Sequence, residues 1–456
     1  MEFDIQLSTG GVTAGSYNHF QNNIQSTFSR VRLLYGSTPL EDMINYNVIV
    51  RNLTEWTATA GNTLDQTSIS EGIGGSISGV ASTTAYSLKN IRQSYIQGNN
   101  QITGFLTPNQ AGGLLSGTTS SVRRYQVQFA LGLFTQGKLI PTKFMASQLA
   151  VEITLASESA CIIESGGFTA APSTGPALST ASTYQVTNIN LIPEILEFDA
   201  SYDASFIRGL REGGVPIKFS SWHTFQFATS QTLNLLIQER SRSVKALFAV
   251  MRHSSPAVVT GDSGACVFFP TASQTLNQYQ YRIGGRYFPA SPVQCSTTPG
   301  STVSNGGAEA FCELQKALNT VGDYRLSSAV NTMRWATTFS NAVYPAGSLT
   351  VPSPSESDYL FGVTGFDVNG NAVVASTKTA TVRGSGEIGS QCFAMAVSLE
   401  TSNGLEISGL NAEEQSDISL QAIYSAAPPA GYLMEVYTYY DAMLVLRENN
   451  VLELIQ

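Results

Sequence analysis

Two groups of residues in this chain have the types and spacing of catalytic machinery. Gly261-Asp-Ser-Gly264 offers a serine in a tight turn setting, and His223 and His253 precede it in the chain. A serine nucleophile needs an imidazole to take its proton and a carboxylate to orient that imidazole, with the three groups brought from well-separated positions. Here the histidines lie only 40 and 10 residues before Ser263, and His19 is far away. The stretch follows a polar break and leads into Ala-Cys-Val-Phe-Phe269, so a Gly-Asp turn entering a strand accounts for it. The second group is carboxylic: Glu197 with Asp203, and Glu435 with Asp441. Paired carboxylates hydrolyse glycosides when about 5 to 10 Å apart. Six positions along a strand put both groups on one face but about 20 Å apart, so cross-strand or turn roles fit them better.

Other cofactor chemistry is poorly served. Three histidines, His19, His223 and His253, are too few and too dispersed for a metal site. The five cysteines, Cys161, Cys266, Cys295, Cys312 and Cys392, show no ligand pairing and read as reduced residues, mostly in cores. Gly284-Gly285 lacks the wider glycine spacing of phosphate-binding loops. The sequon Asn52-Leu-Thr54 has no secretory context. No catalytic, cofactor-binding or metal residue is assigned, and no enzyme activity is expected.

Charged residues make up only 12% of the 456 positions, with a net charge of −9, so the polar surface must consist of Ser, Thr, Asn, Gln and Gly. Such a surface costs less to desolvate and suits large protein contacts, although a neutral β-rich surface reads the same way. Basic residues cluster only at Arg123-Arg124 and at Arg240, Arg242 and Lys245. A nucleic-acid surface needs a basic patch, so direct nucleic-acid binding is not expected. Met1-Glu-Phe-Asp lacks the basic start of a signal peptide, and no apolar run approaches a membrane span. The expectation is a chain made in the cytosol that stays soluble.

The elements that must position these residues come in two similar sets. Glu197-Phe-Asp-Ala-Ser-Tyr-Asp203-Ala204 and Glu435-Val-Tyr-Thr-Tyr-Tyr-Asp441-Ala442 share a Glu five positions before Tyr-Asp-Ala, 238 residues apart. Upstream, Leu133-Phe-Thr135 matches Leu399-Glu-Thr401, and Glu152-Ile-Thr-Leu155 matches Asp417-Ile-Ser-Leu420. The larger offset of these matches is accounted for by Ser157 to Thr183, read as a loop inserted between two strands. Two tandem copies of one domain follow: 1–210, with loop insertions 57–86 and 157–183, and 211–456, with a loop and helix insertion at about 296–325.

Within each half the periodicity is that of strands. Phe28 to Tyr35, Tyr125 to Phe129, Val151 to Leu155, Tyr184 to Ile192 and Ile217 to Phe227 carry β-prone or alternating apolar residues. Val244 to Val250 is a continuous apolar run, as in a strand buried on both faces. Phe393 to Leu399 and Ile418 to Ala422 alternate again, and the chain closes in strands around Asn449-Asn450. Ser37-Thr-Pro39-Leu-Glu-Asp42 has the signs of a helix start, with the helix running to about Glu55. Phe206 to Gly214 reads as a short helix stopped by glycines, and Phe311 to Leu318 as an amphipathic one. Many short strands with long polar loops give an all-β chain of two tandem eight-stranded jelly rolls with a few short helices.

Tyr279-Gln-Tyr-Arg-Ile-Gly-Gly-Arg-Tyr-Phe-Pro-Ala-Ser-Pro292 resembles a stretch of double-jelly-roll major capsid proteins, closest to the polinton-like virus and virophage group of eukaryotic DNA viruses. Phe28 to Gly36, Val244 to Arg252 and the final Tyr-Tyr-Asp-Ala with its strand agree, so the resemblance covers most of the chain. It implies a structural capsid protein whose homotrimers, pseudo-hexagonal in outline, tile an icosahedral virion shell. Neighbouring capsomers, a penton protein and minor or cement proteins are the implied partners, and an internal membrane is compatible but not indicated. The 57–86 and 296–307 loops would form outer turrets or clasps. The alternative is a viral or cell-surface attachment protein, lectin-like and equally neutral and loop-rich.

Overall fold

The structure, a computed structural model, describes residues 1–9, 12–20, 24–57, 70–71, 112–117, 120–165, 177–178, 182–253, 276–295, 308–319, 339–344, 347–349, 363–366, 372–374, 378–383, 393–400, 409–413, 417–424, 427–428, 432–448 and 451–456. Among the described residues the N-terminal part contributes ten strands: β1 (Glu2–Thr9), β2 (Val12–Phe20), β3 (Phe28–Tyr35), β4 (Thr38–Ile44), β5 (Gly112–Gly117), β6 (Ser120–Gln126), β7 (Leu149–Leu155), β8 (Ile162–Ser165), β9 (Ala177–Leu178) and β10 (Ser182–Asn190). They form three antiparallel sheets, in the orders β10-β1-β6, β4-β3-β7 and β5-β2-β8-β9. Among the described residues the named helices are short: α1 (Tyr46–Thr57), α2 (Gly132–Thr135), α3 (Glu158–Cys161), α4 (Ala200–Arg211) and α5 (Ala308–Ala317).

The C-terminal part shows the jelly-roll order outright. Its strands are β11 (Val215–Ala228), β12 (Thr232–Ile237), β13 (Val244–His253), β14 (Leu276–Ile283) and β15 (Arg286–Gln294). Five short strands follow: β16 (Phe339–Tyr344), β17 (Gly347–Leu349), β18 (Val363–Phe366), β19 (Ala372–Val374) and β20 (Lys378–Arg383). Then come β21 (Met395–Ser398), β22 (Ile418–Tyr424), β23 (Tyr432–Arg447) and β24 (Val451–Ile455). One sheet runs β11-β23-β13-β21, with β24 added to β23, and the other runs β12-β22-β14-β15. Setting aside β16–β20, which pair among themselves, the remaining strands divide between two sheets in the order of two interlocked Greek keys. The fold is the all-β jelly-roll class expected from the sequence.

Local chemistry explains why these segments are strands. β13 is buried along almost its whole length, as a central strand covered on both faces must be. β22 and β21 are buried likewise. Tyr279 and Tyr281 of β14 are buried tyrosines whose hydroxyls donate to the carbonyls of Ala396 (3.1 Å) and Met395 (2.8 Å), tying one sheet to β21 of the other. Gly284 and Gly285 both have positive φ (55° and 80°) and close a two-residue hairpin between β14 and β15. Their role in the resembling stretch is thus a turn.

Four readings are corrected. Thr38-Pro39 opens a strand and not a helix: Gly36, at φ 58°, and Ser37 form the two-residue turn of the β3–β4 hairpin, and α1 starts only at Tyr46. Pro39 is tolerated because β4 is an edge strand and the register shifts beside it, opposite Leu34. Residues 157–183 are not simply a loop: they contain α3, β8, β9 and the start of β10. The duplicated Tyr-Asp-Ala motif does not mark equivalent elements, since Tyr202-Asp203-Ala204 lies in α4 and Tyr440-Asp441-Ala442 in β23. Leu133-Phe-Thr135 likewise falls in α2, whereas Leu399 follows a strand, and only the pair in β7 and β22 shares an element type. Finally, the alternation over Tyr125 to Phe129 continues in burial, but the ladder of β6 stops at Gln126. Most of loop 57–86, and residues 296–307 and 320–325 of the later insertion, lie outside the described residues.

Helix α1 joins the two parts. Tyr46 packs edge-on against Phe129 and tilts over Phe28 in an aromatic core that also holds Phe3. At the other end of the helix Trp56 stacks on Phe248 of β13, centroids 5.0 Å apart. A helix buried this nearly all round must be inserted between layers and cannot lie on a surface.

Candidate functional site

The buried ionisable groups cluster where the N-terminal part meets the β11-β23-β13 sheet. Glu41 of β4, 1% exposed, accepts hydrogen bonds from the backbone amides of Gly132 and Leu133 (2.8 Å each) and from the Ser221 hydroxyl of β11 (2.7 Å). It thereby caps α2, whose own N-cap, Leu131, has no side-chain acceptor. Burial pushes the Glu41 carboxyl above its ordinary value, against the pull of the Leu133, Ser221 and Gly132 donors.

Glu435, fully buried on β23, is the second carboxylate. Arg252 of β13 reaches it at 2.5 Å, Gln226 of β11 donates at 2.7 Å, and Asn45, in the turn before α1, donates at 3.0 Å. The Tyr437 hydroxyl donates to its other oxygen. Burial opposes the charge on Arg252, but the Glu435 carboxylate more than restores it. Six residues along the same strand, Asp441 accepts from Ser220 (2.7 Å) and Ser243 (2.9 Å), with Lys245 at 3.5 Å. Glu239, between β12 and β13, accepts from the Ser241 hydroxyl (2.6 Å) and amide (2.9 Å) and from the Arg240 amide (2.9 Å), and its other oxygen lies 3.0 Å from His223 Nδ1. Burial alone would raise the Glu239 carboxyl, yet His223 and Ser241 outweigh it and hold it below its ordinary value.

These carboxylates are acceptors in saturated, enclosed networks. None presents a free oxygen at a surface where a substrate could sit, so the chemistry they perform is clamping. Glu435 and Asp441 do share a buried strand, but as anchors of separate networks. Glu197 is exposed in an irregular segment and Asp203 pairs with Lys143, so the other candidate carboxylate pair is not assembled. Ser263, Cys266 and Cys392 lie outside the described residues, as do the side chains of His19 and His253. Cys161 and Cys295 are buried free thiols, pushed up by that burial, and Cys312 is exposed. Among the described residues no group of three or more His, Cys, Asp or Glu could hold a metal ion. No described helix is long and apolar enough to cross a membrane. The basic groupings are partly consumed by ion pairs, Arg124 with Asp4 (2.8 Å), Arg242 with Glu413 (2.8 Å) and Lys245 with Glu400 (3.2 Å). Asn52 of the sequon is 1% exposed within α1.

Sequence reasoning missed Glu41 and Glu239. Their local signal is weak: Glu41 resembles an early-helix acid beside Pro39, and Glu239 a charge in a turn. Only the burial of both identifies them.

Among the described residues, one surface stretch is apolar. Leu191–Asp199 joins β10 to α4 without regular structure, and each of its residues is exposed, including Leu191, Ile192, Ile195, Leu196 and Phe198.

No family model matches this chain, and no curated protein matches it. Solved structures do. The Sputnik virophage structure matches over 99% of this chain and 81% of its own, at 11% identity and a TM-score of 0.48. The mavirus major capsid protein matches over 99% and 82%, at 10% identity and 0.47. The Faustovirus major capsid protein matches over 97% and 84%, at 10% identity and 0.41. Two of these three structures are major capsid proteins of viruses.

Proposed function

We propose that this chain is a structural major capsid protein whose homotrimers form pseudo-hexagonal capsomers that tile an icosahedral shell. The observation that carries the reading is the position of the resembling residues. Tyr279 to Pro292 forms the β14–β15 hairpin, Val244 to Arg252 forms β13, and the closing Tyr-Tyr-Asp-Ala lies in β23, so the resemblance falls on the frame of a jelly roll rather than on a catalytic site. Fold alone does not assign function. The saturated carboxylates support a structural role, because they stabilise the β11-β23-β13 sheet and its junction with β4 and α1 and offer nothing to a substrate. On this reading the chain divides at about residue 210 into two tandem domains, it resides in the virion, and it meets neighbouring capsomers, a penton protein and minor proteins. A relationship to the polinton-like virus group belongs to the same proposal.

Light scattering on the purified chain, followed by negative-stain imaging, tests it. Three copies of a 48.7 kDa chain give about 146 kDa in a closed ring with a hexagonal outline. A stable monomer under all solution conditions, with no larger species, would count against the capsomer.

A further inference from the structure

The segment that leads from β10 into α4 is composed unlike a tether. Linkers between folded units are ordinarily rich in Gly, Ser, Pro or charge. Here all residues from Asn188 to Tyr202 are exposed, and they include Ile189, Leu191, Ile192, Ile195, Leu196 and Phe198. Ile195 is 74% exposed and the other five are each about half exposed. Together these six residues show several hundred Å² to solvent, the scale of a typical monomer's largest apolar patch, ~300 to 600 Å², and a large part of the ~800 Å² that each partner gives to a standard interface. Among the described residues, Leu191 to Phe198 make no hydrogen bond with the rest of the chain.

The root of this arm is held firmly. Phe198 stacks on Tyr202 (4.3 Å), Tyr202 on Phe206 (6.4 Å) and Phe206 on Phe144 (4.7 Å), while Lys143 pairs with Asp203. The arm is therefore an anchored apolar strip presented outward. Glu194, Glu197 and Asp199 lie along it, and no Lys or Arg occurs between Tyr184 and Ile207, a charge pattern that disfavours an anionic lipid surface.

We infer that residues 189–198 form an arm covered by a second copy of this chain. The inference rests on the capsomer reading and locates its contact. In a closed ring of copies each subunit gives one arm and receives one, so no apolar strip is left bare, whereas a monomer would leave it in water.

The test compares the wild-type chain with an Ile192→Asp/Ile195→Asp variant by light scattering, with tryptophan emission and the thermal midpoint as checks on folding. A parallel sample carries benzoylphenylalanine in place of Ile195, for photo-cross-linking. A trimeric wild type, a threefold lower mass for the folded variant and cross-links between copies are the expected results. A trimeric wild type with an equally trimeric variant, or cross-links confined to the arm's own chain, would overturn the arm and leave the capsomer standing. A monomeric wild type without inter-copy cross-links would overturn both. If the variant does not fold, the cross-links alone decide.

Discussion

A methyl group at Gly132 would sit 1.8 Å from the Ser220 carbonyl oxygen, so the first turn of α2 lies against β11 at a distance only glycine permits. The same glycine supplies one of the amides that satisfy Glu41, and closeness and hydrogen bonding therefore fail together. Gly132→Ala is expected to cost on the order of 3 kcal/mol or more, read as a lowered midpoint in denaturant. An unchanged midpoint would show that α2 can move off β11 freely. Glu239 gives a pH signature. Its folded pKa lies below the unfolded value, so its ionisation contributes stability at neutral pH that is lost as pH falls through the folded value. The wild type is expected to exceed Glu239→Gln in stability at neutral pH, with the gap narrowing as acidification protonates the Glu239 carboxylate. Glu41 has the opposite sign, because its carboxyl is raised: its charged form weakens the fold at neutral pH and acidification relieves that cost. Comparing wild type with Glu239→Gln at each pH keeps the two effects apart, since Glu41 is common to both.

At the scale of elements, β24 shows how the C-terminal sheet is completed. β13 pairs with β23 along Tyr432 to Tyr440, and beyond that point β24 takes the vacated edge from Met443 to Arg447 while β11 holds the other. Deleting residues 451–456 bares that edge and removes Leu452 and Leu454, which pack against the core. A loss on the order of 2 to 4 kcal/mol is expected, measured by thermal or chemical melting. Full stability after truncation would mean that the β23 edge does not need its third partner. Elements were legible where burial is simple. β11, β13, β21 and β22 follow from apolar periodicity because a sheet face imposes it directly. β4 was not legible, because Ser37-Thr-Pro39 with following acids is a helix signature in isolation. A two-residue turn at Gly36-Ser37 and a place at a sheet edge override that signature. The Tyr-Asp-Ala repeat misled for a related reason: a few matching residues adopt helix or strand according to what they pack against.

For the molecule as a whole, α1, Glu41 and Glu435 make the N-terminal and C-terminal sheets mutually dependent. Trp56 stacks on Phe248 across the junction, and Asn45 and Glu41 bond to residues of β23 and β11. Breaking the junction would strand buried donors and carboxylates, which costs about 1 to 3 kcal/mol per group, more for a charge. One cooperative unfolding transition is therefore expected, with near-UV dichroism and far-UV dichroism superimposing. Two resolved transitions would show that the junction is weaker than its hydrogen bonds imply.

By itself the sequence determined the class of the fold and the identity of most C-terminal strands. These depend on composition and on short-range periodicity, which a linear reading samples directly. The tertiary structure alone decided that Glu41 and Glu239 are buried acceptors, that Gly132 is a point of contact between α2 and β11, and that residues 189–198 stand exposed. Each of those facts depends on which distant surfaces meet. An Ile in a core strand and an Ile in a bare arm have the same side chain, and only the packing around them, or its absence, tells the two apart.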